Sequence, residues 1–163
     1  MRFEHSATLP MTPLEAFERL RHYERLYPYF HSAHEASPRE PELLSPNSRF
    51  VVSERIGLER REYRIRVTRY EPATSLTLEA DVVTRYGPLR IPSRLAIAFE
   101  IASRPGGCLL TVRQTVTFNS AWLAWLMTPR WLWRGVERHA DEEFETAIAL
   151  LAAPQHFPPA ASA

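Results

Sequence analysis

The chain has 163 residues, 45% of them hydrophobic, which is enough apolar material for one respectable core and too little length for two large domains. Twenty basic residues against nineteen acidic leave a net charge of +1, interspersed along the chain, which excludes the electrostatic footprint of a nucleic-acid binder. A single cysteine, Cys108, excludes an intramolecular disulfide and a paired-cysteine metal site, and no run approaches a membrane span or a secretory leader, so a soluble protein of the reducing cytoplasm is expected.

Phe3, His5, Ala7 and Leu9 alternate with Arg2, Glu4, Ser6 and Thr8, the period of a half-buried strand. Thr12, Pro13 and Glu15 then supply an N-cap, an N1 proline and a capping-box acid. Leu14, Phe17, Leu20 and Tyr23 or Glu24 carry the helical spacing onward. The pattern fades at Tyr27-Pro28, beyond which a second short helical turn reaches Phe30. Pro38, Pro41 and Pro46 mark 32–47 as connecting structure with at most a short strand at 42–44.

Five strands follow, near 49–58, 60–71, 75–85, 90–103 and 108–119, separated by turn chemistry at Glu71-Pro72-Ala73-Thr74, Tyr86-Gly87-Pro88 and Arg104-Pro105-Gly106-Gly107. Tyr63, Ile65 and Val67 oppose Arg64, Arg66 and Thr68; Leu76, Leu78, Ala80 and Val82 oppose Thr77, Glu79 and Asp81; Leu110, Val112, Val116 and Phe118 oppose Thr111, Arg113, Thr115 and Thr117. One face is therefore apolar and the other wet. Thr128-Pro129 opens a long final helix in which Leu132, Val136, Ala140, Phe144, Ala147 and Leu151 recur at three or four. A helix of this kind must cover the apolar face of the sheet. Residues 1–152 are expected to form one domain, and the Pro- and Ala-rich stretch 153–163 a disordered tail.

Three stretches carry a family resemblance: Phe3-Glu4-His5-Ser6-Ala7 ahead of Leu14-Glu15-Ala16-Phe17, then Val67-Thr68-Arg69-Tyr70-Glu71-Pro72, then Gly106-Gly107-Cys108-Leu109-Leu110-Thr111-Val112. Through them the chain resembles the polyketide cyclase/dehydrase and lipid-transport group of the START-like (SRPBCC, Bet v 1-like) superfamily, over nearly its whole length. The resemblance implies an α+β helix-grip fold: a curved antiparallel sheet of six or seven strands around a long C-terminal helix, with two short helices after the first strand. It further implies a cavity between sheet and helix that binds or transforms hydrophobic molecules.

Several polar side chains fall on the inward parity and are candidates for orienting a ligand. His5 lies between Phe3 and Ala7, and is read either as a hydrogen-bonded core residue or as a proton-transfer group. Glu54 continues Phe50 and Val52, so it is either paired, with Arg61 or Arg69, or shifted outward by a register slip. Tyr63 offers a hydroxyl on an apolar body, Gln114 an amide between Val112 and Val116, and Ser93 and Thr84 small hydroxyls. His139 flanks the helical stripe three residues after Val136. Trp122, Trp125, Trp131 and Trp133 form a cluster read as a lid at the cavity mouth, or as a peripheral membrane contact aided by Arg130 and Arg134. His31 and His34 stand at i, i+3 beside Glu35, but a stable metal site wants three or four ligands, so no metal and no cofactor are expected.

The reading for function is binding or transport of a small hydrophobic molecule, a lipid, a quinone or a polyketide-like compound. The alternative is a cyclase/aromatase-like enzyme in which His5, Glu54 and Tyr63 move protons.

Overall fold

The computed structural model describes residues 1–153, apart from Ala36, Pro38, Gly57, Ala121, Leu123, Ala124 and 126–129; for 130–136 the backbone alone is described. The tail beyond 153 and the side chains of Trp131, Trp133, Leu132 and Val136 lie outside the described residues.

Strand β1 (Arg2–Leu9) leads into helix α1 (Pro13–Leu20), which starts as the capping residues dictate: Thr12 is the N-cap, its Oγ1 accepting from the Glu15 N–H at 3.2 Å, with Pro13 at the head of the helix. The helical spacing breaks at Arg21-His22, and α2 (Tyr23–Phe30) is a full helix of eight residues despite Pro28. Burial holds it where the backbone ladder is interrupted. Tyr23, Leu26, Tyr27 and Phe30 are all buried.

No strand forms at 42–44. Leu44 is 1% exposed because its N–H donates to the Arg21 carbonyl at 2.8 Å and its own carbonyl accepts from Arg21 Nε at 3.1 Å, which anchors the connection to the end of α1. A two-residue strand β2 (His34–Glu35) appears instead. The remaining strands are β3 (Arg49–Ile56), β4 (Glu59–Glu71), β5 (Ser75–Tyr86), β6 (Leu89–Arg104) and β7 (Gly107–Phe118), followed by the long helix α3 (Arg130–Ala152).

All seven strands form one antiparallel sheet in the order β1-β7-β6-β5-β4-β3-β2, so the first strand pairs with the last. The outer face carries cross-strand charge pairs, among them Arg66–Glu79 at 2.8 Å and Arg113–Glu4 at 2.8 Å, with Arg113 also bonded to Glu100. The inner face is built in transverse rows. One row reads His34, Glu54, Arg61, Thr84, Ile91; the next reads Val52, Tyr63, Val82, Ser93, Phe118. Glu54 stays in register on the inward side, and the slip allowed for it does not occur.

Helix α3 lies against this face. Ala140 and Leu151 are buried, with Phe144, Ala147, Ile148 and Leu150 packed on the core. Its last turn is clasped by α1: Arg19 Nη1 donates to the carbonyls of Leu151 at 2.5 Å and Ala153 at 2.8 Å, supplying donors to orphan carbonyls at a helix C-terminus. No helix among the described residues is long and apolar enough to cross a membrane.

Candidate functional site

A cavity of about 390 Å³ lies between the inner face and α3. Ile65, Val82, Ile91, Leu95, Ile97 and Val116 supply much of its apolar wall. The charged side chains gather in one corner, where β2, β3 and β4 meet α3, while Ser93 and Gln114 place neutral polar groups on the opposite strands, near the Met1 ammonium bonded to the Val116 carbonyl at 2.8 Å.

Glu54 organises that corner. Its side chain is almost wholly buried, and it accepts from the Tyr63 hydroxyl at 2.5 Å and from Arg61 Nη1 at 3.3 Å. Nε2 of His139 stands 3.5 Å away. The sheet register makes this cluster: Arg61 is directly opposite Glu54 on β4, and Tyr63 is the next inward residue along that strand. The alternative partner, Arg69, is instead engaged with Glu71 at 3.0 Å. Burial opposes the charge on Arg61, but Tyr63, Glu54 and Glu59 outweigh it, so its pKa is raised and the guanidinium is held charged. Burial, reinforced by Glu54, raises the pKa of Tyr63 well above the ordinary phenol, which keeps it a protonated donor.

His34 faces Glu54 across the β2–β3 pair and is buried, its ring stacked on Tyr27 with centroids 4.0 Å apart. Nδ1 lies 2.9 Å from the Tyr27 carbonyl, which can only accept, so in the neutral ring Nδ1 carries the hydrogen and Nε2 the free lone pair. Burial pushes the His34 pKa down to about 4, against the opposing pull of the Tyr27 carbonyl and Glu54. Burial also lowers the pKa of His139, with His31 and Arg61 acting in the same direction.

Glu143 lies one helical turn beyond His139 on the same face of α3 and completes the corner. It is half-buried and lines the cavity. That desolvation, with Glu54 adding repulsion, raises its pKa from 4.5 to about 8. One ligand atom from each of His34, His139 and Glu143 lies within 4.8 Å of the other two.

Of the residues marked from sequence, Glu54, Tyr63, Thr84, Ser93, Gln114 and His139 line the cavity. His5 does not. The side of β1 that carries it is covered by α3, where its ring stacks on Phe144 at 5.0 Å and Nδ1 lies 3.6 Å from Asp141, with Nε2 buried and unpartnered among the described residues. The trio His5, Glu54 and Tyr63 is therefore not a unit; His139 stands where His5 was expected. Trp122 and Trp125 are 63% and 73% exposed and do not line the cavity, so these two indoles do not form a packed lid. Sequence reasoning missed Glu143 and misplaced His34. The i, i+4 spacing of His139 and Glu143 was the available signal for the first.

No protein-family model matches the chain, and no curated protein matches it. Solved structures do. Ara h 8.0201 superposes with a TM-score of 0.64 at 13% identity, over 93% of this chain and 97% of that one. A conserved protein from Geobacillus kaustophilus gives 0.64 at 17% identity, covering 93% and 95%. DynU16, from the dynemicin biosynthetic locus, gives 0.60 at 11% identity over 96% of this chain and 49% of its own. The chain thus has a Bet v 1-like helix-grip fold, a seven-stranded curled antiparallel sheet closed by a C-terminal helix.

Proposed function

We propose that the protein binds and carries a small, largely apolar molecule in the cavity between the sheet and α3, with the polar end of that molecule toward Glu54, Tyr63 and His139. The observation that carries this reading is the division of the cavity: a volume of about 390 Å³, apolar along most of its wall, with its charged side chains gathered in one corner. Apolar lining supplies affinity and a few placed polar groups supply orientation, as in small-molecule sites generally. A compact ring system, such as a quinone or a polyketide-like compound, suits this volume better than a two-chain lipid.

Native mass spectrometry of freshly purified protein tests the proposal directly. A co-purified mass released on denaturation, together with a thermal upshift on adding a naphthoquinone, is the expected result. Empty protein that gains no stability from any of a panel of apolar probes overturns it.

The contact of Tyr63, Glu54 and His139 favours a second reading, proton transfer on a carbonyl ligand held at the same corner. Deuterium exchange into an acidic C–H of a bound diketone, lost in His139→Gln, would support it. Equal exchange in both proteins would remove it. The exposed Trp122 and Trp125 follow Phe118, a lining residue, by four and seven positions, which supports delivery of the ligand from a membrane surface.

A further inference from the structure

The corner of the cavity also has the makings of a metal site. We infer that His34, His139 and Glu143 bind one divalent transition cation of the zinc type, with the open coordination position facing the cavity.

The donor set is two imidazoles and one carboxylate, the composition of three-ligand zinc sites that keep a position free for water or substrate. The three donor atoms lie within 4.8 Å of one another. Metal–ligand distances near 2.0–2.2 Å place tetrahedral donors about 3.5 Å apart, so side-chain movements of about 1 Å close the site.

The arrangement behind the donors supports the same assignment. Nδ1 of His34 is committed to the Tyr27 carbonyl at 2.9 Å, and its ring is pinned flat against the Tyr27 ring, which leaves the Nε2 lone pair available. A metal-binding histidine characteristically donates its other nitrogen to a carbonyl or carboxylate in this way. Glu54 lies 3.5 Å from Nε2 of His139, close enough to orient that ring, and is itself fixed by Tyr63 and Arg61. Helical geometry presents His139 and Glu143 on one face at i, i+4, the spacing by which helices commonly offer paired ligands. Arg61 is the nearby cation that opposes a metal, and it is occupied by Glu54 and Glu59.

The other histidine–carboxylate pairs near α3 lack this support. His31–Glu142 and His5–Asp141 are each single pairs at 3.6 Å whose acids are largely exposed. His5–Asp141 provides the control, since the His31 ring packs on His139 at 4.1 Å. The site does not depend on the identity of the apolar occupant, and if both exist, an oxygen on that molecule could complete the coordination.

The test is titration of chelator-treated, dialysed protein with Zn²⁺ by calorimetry and with Co²⁺ by visible absorption. One equivalent of Zn²⁺ and the d–d bands of a four- or five-coordinate Co²⁺ are expected. Glu143→Gln and His139→Gln should each weaken binding by at least about tenfold and alter the Co²⁺ bands, while His5→Ala leaves both unchanged. Circular dichroism of each variant separates ligand loss from misfolding. Absence of stoichiometric binding, or binding that survives both Glu143→Gln and His139→Gln at wild-type strength, overturns the assignment.

Discussion

The hydroxyl of Tyr63 donates to Glu54 at 2.5 Å across neighbouring strands, and this bond ties the inner face of the sheet to the corner that α3 covers. Both side chains are buried, so removing the donor leaves a carboxyl group with fewer partners where water cannot easily replace them. Tyr63→Phe is expected to destabilise the protein by about 1–2 kcal/mol in urea unfolding. A loss of only a few tenths would mean that the bond is not made in solution.

Glu143 makes stability depend on pH in a defined direction. Its folded pKa is near 8 against 4.5 for a free carboxyl, so from pH 4.5 to 8 the folded state binds a proton that the unfolded state has lost. Stability therefore falls as pH rises through that window. His34 works the other way: its pKa of about 4, against 6.5, takes stability away as pH drops below 6.5. Between pH 6.5 and 8 only the Glu143 effect remains of these two. Metal-free wild type should lose stability across that interval, and Glu143→Gln should flatten the curve, read as urea midpoints at several pH values. A wild-type curve already flat there would show that the carboxyl titrates normally.

How far these features could be read in advance depended on whether a residue's environment is local. Glu54 was assigned inward from parity alone, because alternation along β3 is set by strand geometry and the burial of Phe50 and Val52 enforces it. The strand at 34–35 was missed because two residues have no periodicity; it exists only as a partner to β3. Two short helices were expected and are present, but the spacing of the first was carried on to Tyr27-Pro28, whereas the break falls at Arg21-His22 and α2 runs through Pro28, held by tertiary burial of its aromatic residues, which local propensity does not report. Inward parity was right for His5 too, yet it meets α3 and not the cavity, because which length of a sheet face a helix covers is a long-range matter. The convergence of His34 with Glu143, more than a hundred positions apart, has no local signature at all.

Arg19 predicts a coupling between two helices far apart in sequence. By donating to the Leu151 and Ala153 carbonyls it closes the C-terminus of α3, while Glu15 holds it from the other side at 2.7 Å. Arg19→Ala should cost about 1–2 kcal/mol and raise amide exchange in the last turn of α3. Exchange unchanged in that turn would count against the clasp.

Gly107 opens β7 where it passes β1, and a Cβ built there would sit 2.0 Å from the Leu9 carbonyl oxygen. The obstruction is backbone, which cannot rotate away. Gly107→Ala should destabilise by about 2–4 kcal/mol. Gly106→Ala has open space around it and meets only the left-handed backbone at φ 81°, so about 1–2 kcal/mol is expected. Thermal melts of the pair would fail the argument if the order were reversed.

The pairing of β1 with β7 has a bearing on how the chain assembles. Phe3 sits opposite Gln114 and Leu9 opposite Cys108, so the N-terminal strand must wait for a partner about a hundred residues downstream. Contacts that distant are slow to form, because the intervening chain must first be brought to order. During synthesis the β3–β6 meander can fold as it emerges, whereas the first strand stays unpaired and the His34–Glu143 corner stays open until α3 arrives. Binding competence should then be the last property that the folding protein acquires.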